Sequence, residues 1–273
     1  MFASSFSISP VDLWYLIGSP RAPFIVDVRA RDVYDEASGL LPGALWHDAG
    51  DTADWLAHAD RNQTVVVACK AGHEFSQMAV ARLRANGFDA RVLDGGYAGW
   101  AEAGLPLVAK PVLDRIAPRR PSVWVTRRRP KIDRVACPWL ISRFLDPTAR
   151  FLFVEPPEVI PVAEKAGGVP FDIKDVELSH EGERCSFDTM LKLFGLESEP
   201  SLARLALIVR GADTARPDIA AEAAGLHAVA LGLSALAGDD DHGLLRQGFI
   251  VYDALFAWLR LAAEERHNWP ARA

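Results

Sequence analysis

The stretch TVVVACKAGHEFSQMAVARL at residues 64–83 constrains the fold more than any other part of the chain. Its opening residues, 64–68, have the length and β-branched content of a strand buried on both faces. The strand ends at Cys69. Gly72 then permits a tight turn, and the pattern changes to helical period, with Met78, Val80, Ala81 and Leu83 forming an apolar side that Asn86-Gly87 closes. The helix is predicted to begin near Ser76. Apolar runs at 24–28 and 90–93 repeat the alternation, and Ser9-Pro10 opens another helix that Gly18 ends. Strands alternating with helices predict an α/β fold, a parallel sheet with helices on both faces.

A thiol delivered by a strand to a glycine-containing loop, with a helix N-terminus pointing back at it, suits thiolate chemistry. Unpaired backbone N–H groups and the helix dipole stabilise an anion and lower a thiol below its ordinary value of about 8.5. The same donors would stabilise a persulfide on that sulfur or the oxyanion of a sulfur donor. Lys70 and His73 add donors or positive charge at the rim. The alternative for Cys69 is a buried, inert cysteine at a strand end.

At 273 residues the chain exceeds the usual single domain, so two are expected. Residues 110–131, KPVLDRIAPRRPSVWVTRRRPK, are rich in Pro and Arg and read as an exposed connection. The division expected is a first domain at 1–110, a linker at 111–121 and a second domain at 122–273. The Arg run at 127–129 reads as a solvated basic strand end. A net charge of −6 argues against nucleic acid as a partner, because phosphate binding draws on an excess of Lys and Arg. No run of 18 to 20 apolar residues offers a membrane span. The N-terminus shows no signal-peptide pattern. Three cysteines are too few and too odd for a disulfide framework, so reduced thiols and a cytoplasmic location are expected.

The second domain is predicted mostly α-helical, of α+β class. A helix through Ile132, Val135, Leu140 and Phe144 would tolerate Pro138 near its first turn. An extended FLFVEP segment, a turn at Gly167-Gly168 and a strand at 169–173 follow. Helices are expected over 186–194, 202–209, 217–236 and 244–260, with the Asp run at 239–241 as a connection. Glu177, His180 and Cys185 place a carboxylate, an imidazole and a thiol in one short segment. They would ligate a borderline metal ion with Asp213 or His227 completing the shell; the alternative is a polar loop cap over a core thiol. Cys137, beside Pro138 and Trp139, reads as a packing residue.

Three separated stretches resemble the single-domain rhodanese family: VDVRARDVYDEASGLLPGA at 26–44, CKAGHEFS at 69–76 and LDGGYAGWAEAGLPL at 93–107. The resemblance implies that Cys69 forms the persulfide, that Asp27 and Arg29 brace its loop, and that Gly95-Gly96 with Trp100 form a closing turn. It implies a substrate side made of Lys70, Gly72, His73, Glu74 and Ser76, a small-molecule sulfur donor, a thiol acceptor and no required cofactor. Two departures stand out: Glu74 and Phe75 where the family often carries Arg or a small polar residue, and Leu41 where it often carries His. An acidic, bulky loop favours anionic thiosulfate less, which keeps persulfide donors and thiol redox chemistry open.

The second half resembles the C-terminal domain of the ChrB chromate-resistance family, through RPKIDRVACPWLISRFLDP at 129–147, PFDIKDVELSHEGERCSFDTML at 170–191 and LALIVRGADT at 205–214. This resemblance implies a role in chromate, oxyanion or metal stress. Lys131, Arg134 and Arg143 would be the residues to meet an anion such as chromate, unless they form a solvated helix face. The function expected is a sulfurtransferase acting in that setting. The alternative is a sensor that binds chromate or a metal, with the first domain as a non-catalytic or redox input, and a weaker third is chromate reduction by Cys69 or Cys185.

Overall fold

A computed structural model describes residues 6–50 and 61–265. In the first half, β1 (Ser7–Ile8), β2 (Phe24–Asp27), β4 (Ala44–Trp46), β5 (Val65–Ala68) and β6 (Ala90–Leu93) form a parallel sheet in the order β1-β6-β5-β2-β4. The central strands are buried at every position, which is why they read as unbroken apolar runs rather than alternating ones. Successive side chains nevertheless go to opposite faces. Phe24, Val26, Val65, Val67 and Val92 pack with Ala79, Val80 and Leu83 of the helix Glu74–Ala85. Ile25, Val66, Ala68 and Leu93 join a second and larger cluster.

That larger cluster runs without a break into the second half. It includes Leu13, Trp14 and Trp100 from the first half and Trp139, Phe144 and Phe256 from the second. Phe144 is fully buried, with its ring 6.2 Å from Trp14, 5.5 Å from Trp139 and 5.6 Å from Phe256. Gly18, at φ +78°, lies against the Phe144 and Phe256 rings, where a Cβ would collide with both. Backbone bonds cross the same seam: the Gly43 N–H donates to the Phe144 carbonyl at 2.7 Å, and the Ala109 N–H to that of Phe194 at 2.9 Å. Arg260 donates to the Ile17 and Trp14 carbonyls at 3.0 and 2.8 Å.

The segment read as an exposed connection is structured. Lys110–Ile116 is a helix with Lys110 and Leu113 buried, following β7 (Val108–Ala109), which pairs with β3 (Gly39–Leu40). Val123–Arg127 forms β8, the middle strand of a second parallel sheet, flanked by β9 (Arg150–Val154) and β10 (Val169–Pro170). Its VWV core was hidden by the Pro and Arg on either side. The Arg run stays solvent-accessible at this strand end, and its first two members are also paired: Arg127 with Asp172, Arg128 with Glu155 and Asp239, while the Arg129 backbone N–H meets Asp241.

Pro138 falls well inside the helix Asp133–Leu140, not near its first turn. Proline supplies no N–H to the helical ladder, and the chain continues into a π-helical turn, Ile141–Leu145, that delivers Phe144 to the shared core. The helix Val159–Ala166, closed by left-handed Gly167, was not anticipated, and 217–222 is not helical. The remaining helices are Ser186–Leu193, Pro200–Asp213, Ala223–Ala237 and Asp241–Leu261, close to expectation. No helix among the described residues is long and apolar enough to cross a membrane.

Candidate functional site

Cys69 follows the last residue of β5 and is buried. Its loop rests on the first turn of the helix Gly96–Glu102. The Tyr97 and Ala98 N–H groups donate to the Cys69 and Lys70 carbonyls, both at 2.9 Å. Two glycines make this contact possible. Gly72, at φ +74°, would place a Cβ 2.9 Å from the Gly95 nitrogen, and a Cβ on Gly96, at φ +56°, would strike the Cys69 carbonyl oxygen.

Burial pushes the Cys69 thiol up, but donors around Sγ outweigh it. The Ser76 hydroxyl and the N–H groups of Ala71, His73 and Ser76 favour the thiolate, and the net direction is below the ordinary thiol value. Ser76 Oγ lies 3.2 Å from Sγ and donates to the His73 carbonyl at 2.9 Å. One proton serves two acceptors, and a thiolate is the stronger of them. Lys70, His73, Glu74 and Phe75 form an exposed rim, while Gly72 is half-buried and Ser76 fully buried.

Asp27 and Arg29 form a buried pair, with Arg29 Nε 3.0 and 2.9 Å from the two carboxylate oxygens and Nη2 at 2.6 Å. The guanidinium lies 4.0 Å from the Tyr97 ring centre, and Tyr97 holds the Cys69 carbonyl. The buried pair thus reaches the Cys69 loop through Tyr97. Trp100, fully buried, donates to the Pro106 carbonyl at 2.9 Å and packs edge-on to Trp14.

The second half holds a different polar cluster. His180 Nε2 is 3.5 Å from Asp133 Oδ2, 3.4 Å from Asp172 Oδ1 and 3.3 Å from Asp213 Oδ2. Asp133 and Asp172 hold His180 as the cation, raised to about 10, although burial opposes this. Burial, then repulsion from Asp133 and Asp172, pushes Asp213 up to about 7. Asp133 also accepts from the Ser186 and Phe187 N–H groups at 2.7 and 2.9 Å, holding the N-terminus of the helix Ser186–Leu193. Asp172 accepts from Ser186 Oγ at 2.8 Å and pairs with Arg127 and Arg134 at 3.0 and 3.3 Å.

Of the four ligands expected from the sequence, His180 and Asp213 come together and two do not. Glu177 turns outward to Arg115, with contacts of 2.6 and 2.8 Å. Cys185 is fully buried and joins a capping box with Asp188, which Arg210 holds at 2.9 and 2.5 Å. His227 meets the Ala212 carbonyl instead. Asp133 and Asp172 were missed; a lone Asp at a helix start and one inside PFDI carry no local signal of convergence. Arg143 is bound to Asp253, at 3.0 and 2.8 Å, and Arg134 to Asp172, which removes both as free anion ligands. Cys137 is a packing residue, fully buried with its Sγ 3.6 Å from Asp133.

The ChrB C-terminal domain model matches residues 124–259, and the rhodanese-like domain model matches 9–103. Protein ChrB of Cupriavidus metallidurans is 30% identical over 254 residues, covering 85% of this chain and 75% of its own, so the match extends into the first half. Thiosulfate sulfurtransferase GlpE of Pseudomonas fluorescens is 40% identical over 77 residues, 28% of this chain and 68% of its own. A rhodanese-like domain protein of Staphylococcus aureus of known structure is 30% identical, covering 37% of this chain and 96% of its own, at a TM-score of 0.32. The chain belongs to the ChrB family, with a rhodanese-like domain as its first half.

Proposed function

We propose that the protein is a sulfurtransferase that carries sulfane sulfur as a persulfide on Cys69, in a chromate-linked or related oxyanion and metal stress. The observation that carries this reading is the ring of donors about Sγ: Ser76 Oγ and the N–H groups of Ala71, His73 and Ser76. Such a ring favours thiolate before the reaction and persulfide anion after it.

With thiosulfate as donor, the Cys69 thiolate attacks the outer sulfur. The new S–S bond forms on Cys69 as the bond to the sulfonate sulfur breaks, and sulfite leaves with that electron pair. An acceptor thiolate then attacks the outer sulfur of the persulfide, takes it as a new persulfide and returns Cys69 as thiolate. No cofactor enters either step. Exposed Glu74 at the rim repels a dianionic donor, while Lys70 and His73 attract one. The rim therefore presents both signs to an incoming anionic donor, and thiosulfate and a low-molecular-weight persulfide both stand as donors. The chromate setting comes from the relationship to ChrB.

Incubation of the full chain with thiosulfate, and separately with glutathione persulfide, followed by intact-mass and peptide mass spectrometry, tests this reading. The expected result is one added sulfur, located on Cys69, formed from at least one of the two donors and absent in Cys69→Ser. Sulfur transfer unchanged in Cys69→Ser sinks the assignment.

A further inference from the structure

We infer that Asp133, His180 and Asp213 form a binding site for a divalent first-row metal ion in the second half, separate from Cys69 and independent of its sulfur chemistry. Each offers one ligand atom, and the three atoms lie within 4.8 Å of one another. Asp133 opens the helix Asp133–Leu140, Asp213 ends the helix Pro200–Asp213, and His180 comes from the loop before the helix Ser186–Leu193. Three separate segments thus converge on one point.

The two distances from His180 to the carboxylates match the edge of a coordination polyhedron. For metal–ligand bonds of about 2.0 to 2.1 Å, the edge of a tetrahedron is about 3.3 Å. His180 Nε2 stands 3.5 Å from Asp133 Oδ2 and 3.3 Å from Asp213 Oδ2. Nε2 carries at most one hydrogen, which serves one carboxylate and not the surrounding set.

Local charge points the same way. Arg127 and Arg134 are both directed at Asp172. Among the described residues, no Lys or Arg forms an ion pair with Asp133 or Asp213, although Asp133 is 1% exposed. The cation paired with both is His180 itself, and a divalent ion that displaces its Nε2 proton puts two charges where that proton supplies one. An outer shell is already built: Ser186 and Phe187 N–H groups orient Asp133, and Ser186 Oγ, Arg127 and Arg134 fix Asp172 beside the site. Two oxygens and one nitrogen, with no thiolate, suit Mn²⁺, Fe²⁺ or Zn²⁺ rather than Cu(I), and the imidazole disfavours Ca²⁺ and Mg²⁺.

The test uses the full chain, stripped with a chelator and titrated with Mn²⁺, followed by the electron paramagnetic resonance of free Mn²⁺, and with Co²⁺, followed by its visible absorption. Mn²⁺ prefers oxygen and nitrogen, so Cys69 does not compete for it. One equivalent is expected to bind, with affinity falling at least about 10-fold in His180→Ala and in Asp213→Asn. Both residues reach the surface, and circular dichroism checks that each variant stays folded. Glu177→Gln should bind as the parent does. Binding of neither ion by the parent, or equal binding in the parent and both variants, overturns the site.

Discussion

The chain buries three cysteines, and their surroundings set them apart. Cys69 is 5% exposed, Cys137 and Cys185 not at all, so burial alone separates them little. Burial raises all three thiols. At Cys69 the Ser76 hydroxyl and three backbone N–H groups reverse that direction. At Cys137 and Cys185, carboxylates add to the burial, Asp133 at both and Asp188 at Cys185, and both thiols sit well above the ordinary value. The difference lies in what the sulfur faces: a turn of N–H donors at a strand end, or the carboxylates that organise a helix N-terminus. A buried cysteine is reactive when its neighbours donate and inert when they accept.

The contrast is most directly broken by alkylation. With iodoacetamide near neutral pH, Cys69 should be modified by orders of magnitude faster than Cys137 and Cys185, which should react only after unfolding. Peptide mass spectrometry over a time course reads this. Comparable native rates at Cys69 and Cys185 would mean that donors and carboxylates do not set the difference.

A second contrast concerns the two halves, which match separate family models yet share one apolar cluster. Phe144 belongs to the second half and packs against Trp14 of the first. Truncating a buried Phe costs about 3 to 5 kcal/mol. Phe144→Ala should therefore lower the denaturant midpoint for both halves together, with Cys69 accessibility and tryptophan fluorescence changing in one transition. Loss of the second half's signal while Cys69 keeps its native alkylation rate would show two independent units.

The first half was legible because its evidence is local. Val65–Ala68, Cys69, Gly72 and the following helix are contiguous, and a strand buried on both faces announces itself as an apolar run. Asp27 and Arg29, which the family resemblance marks as the brace of this loop, form a buried pair. The second half was less legible for the opposite reason. Its polar cluster is assembled from Asp133, Asp172, His180 and Asp213, which only the packing of distant segments brings together. Proximity in the sequence misled at Glu177 and Cys185: within one loop, His180 turns toward Asp133, Glu177 toward Arg115 and Cys185 toward Asp188. β8 was missed because three apolar residues among prolines and arginines look like a linker unless the partner strands are known.

The finest test of the thiol contrast removes one donor. Ser76 is fully buried, and its hydroxyl is the side-chain group that lowers the Cys69 thiol. In Ser76→Ala burial still raises the thiol, while only the backbone donors remain to lower it, so the midpoint of the alkylation rate against pH should move upward. The sign follows from the thiolate being the nucleophile. Below the parent's midpoint the variant holds less thiolate and reacts more slowly; well above both midpoints the two rates converge. One hydrogen bond to a charged group contributes about 1.5 to 3 kcal/mol, so a loss of roughly 10- to 100-fold is expected on the acid side. The stability linkage has the same root. A thiol lowered on folding adds stability above its unfolded value and loses it as pH falls through the folded one. The variant's deficit relative to the parent should thus be larger in alkaline than in acid buffer. An unchanged alkylation profile would assign the lowering of Cys69 to the backbone alone, and the loop that Gly72 and Gly96 permit would then be sufficient without the hydroxyl.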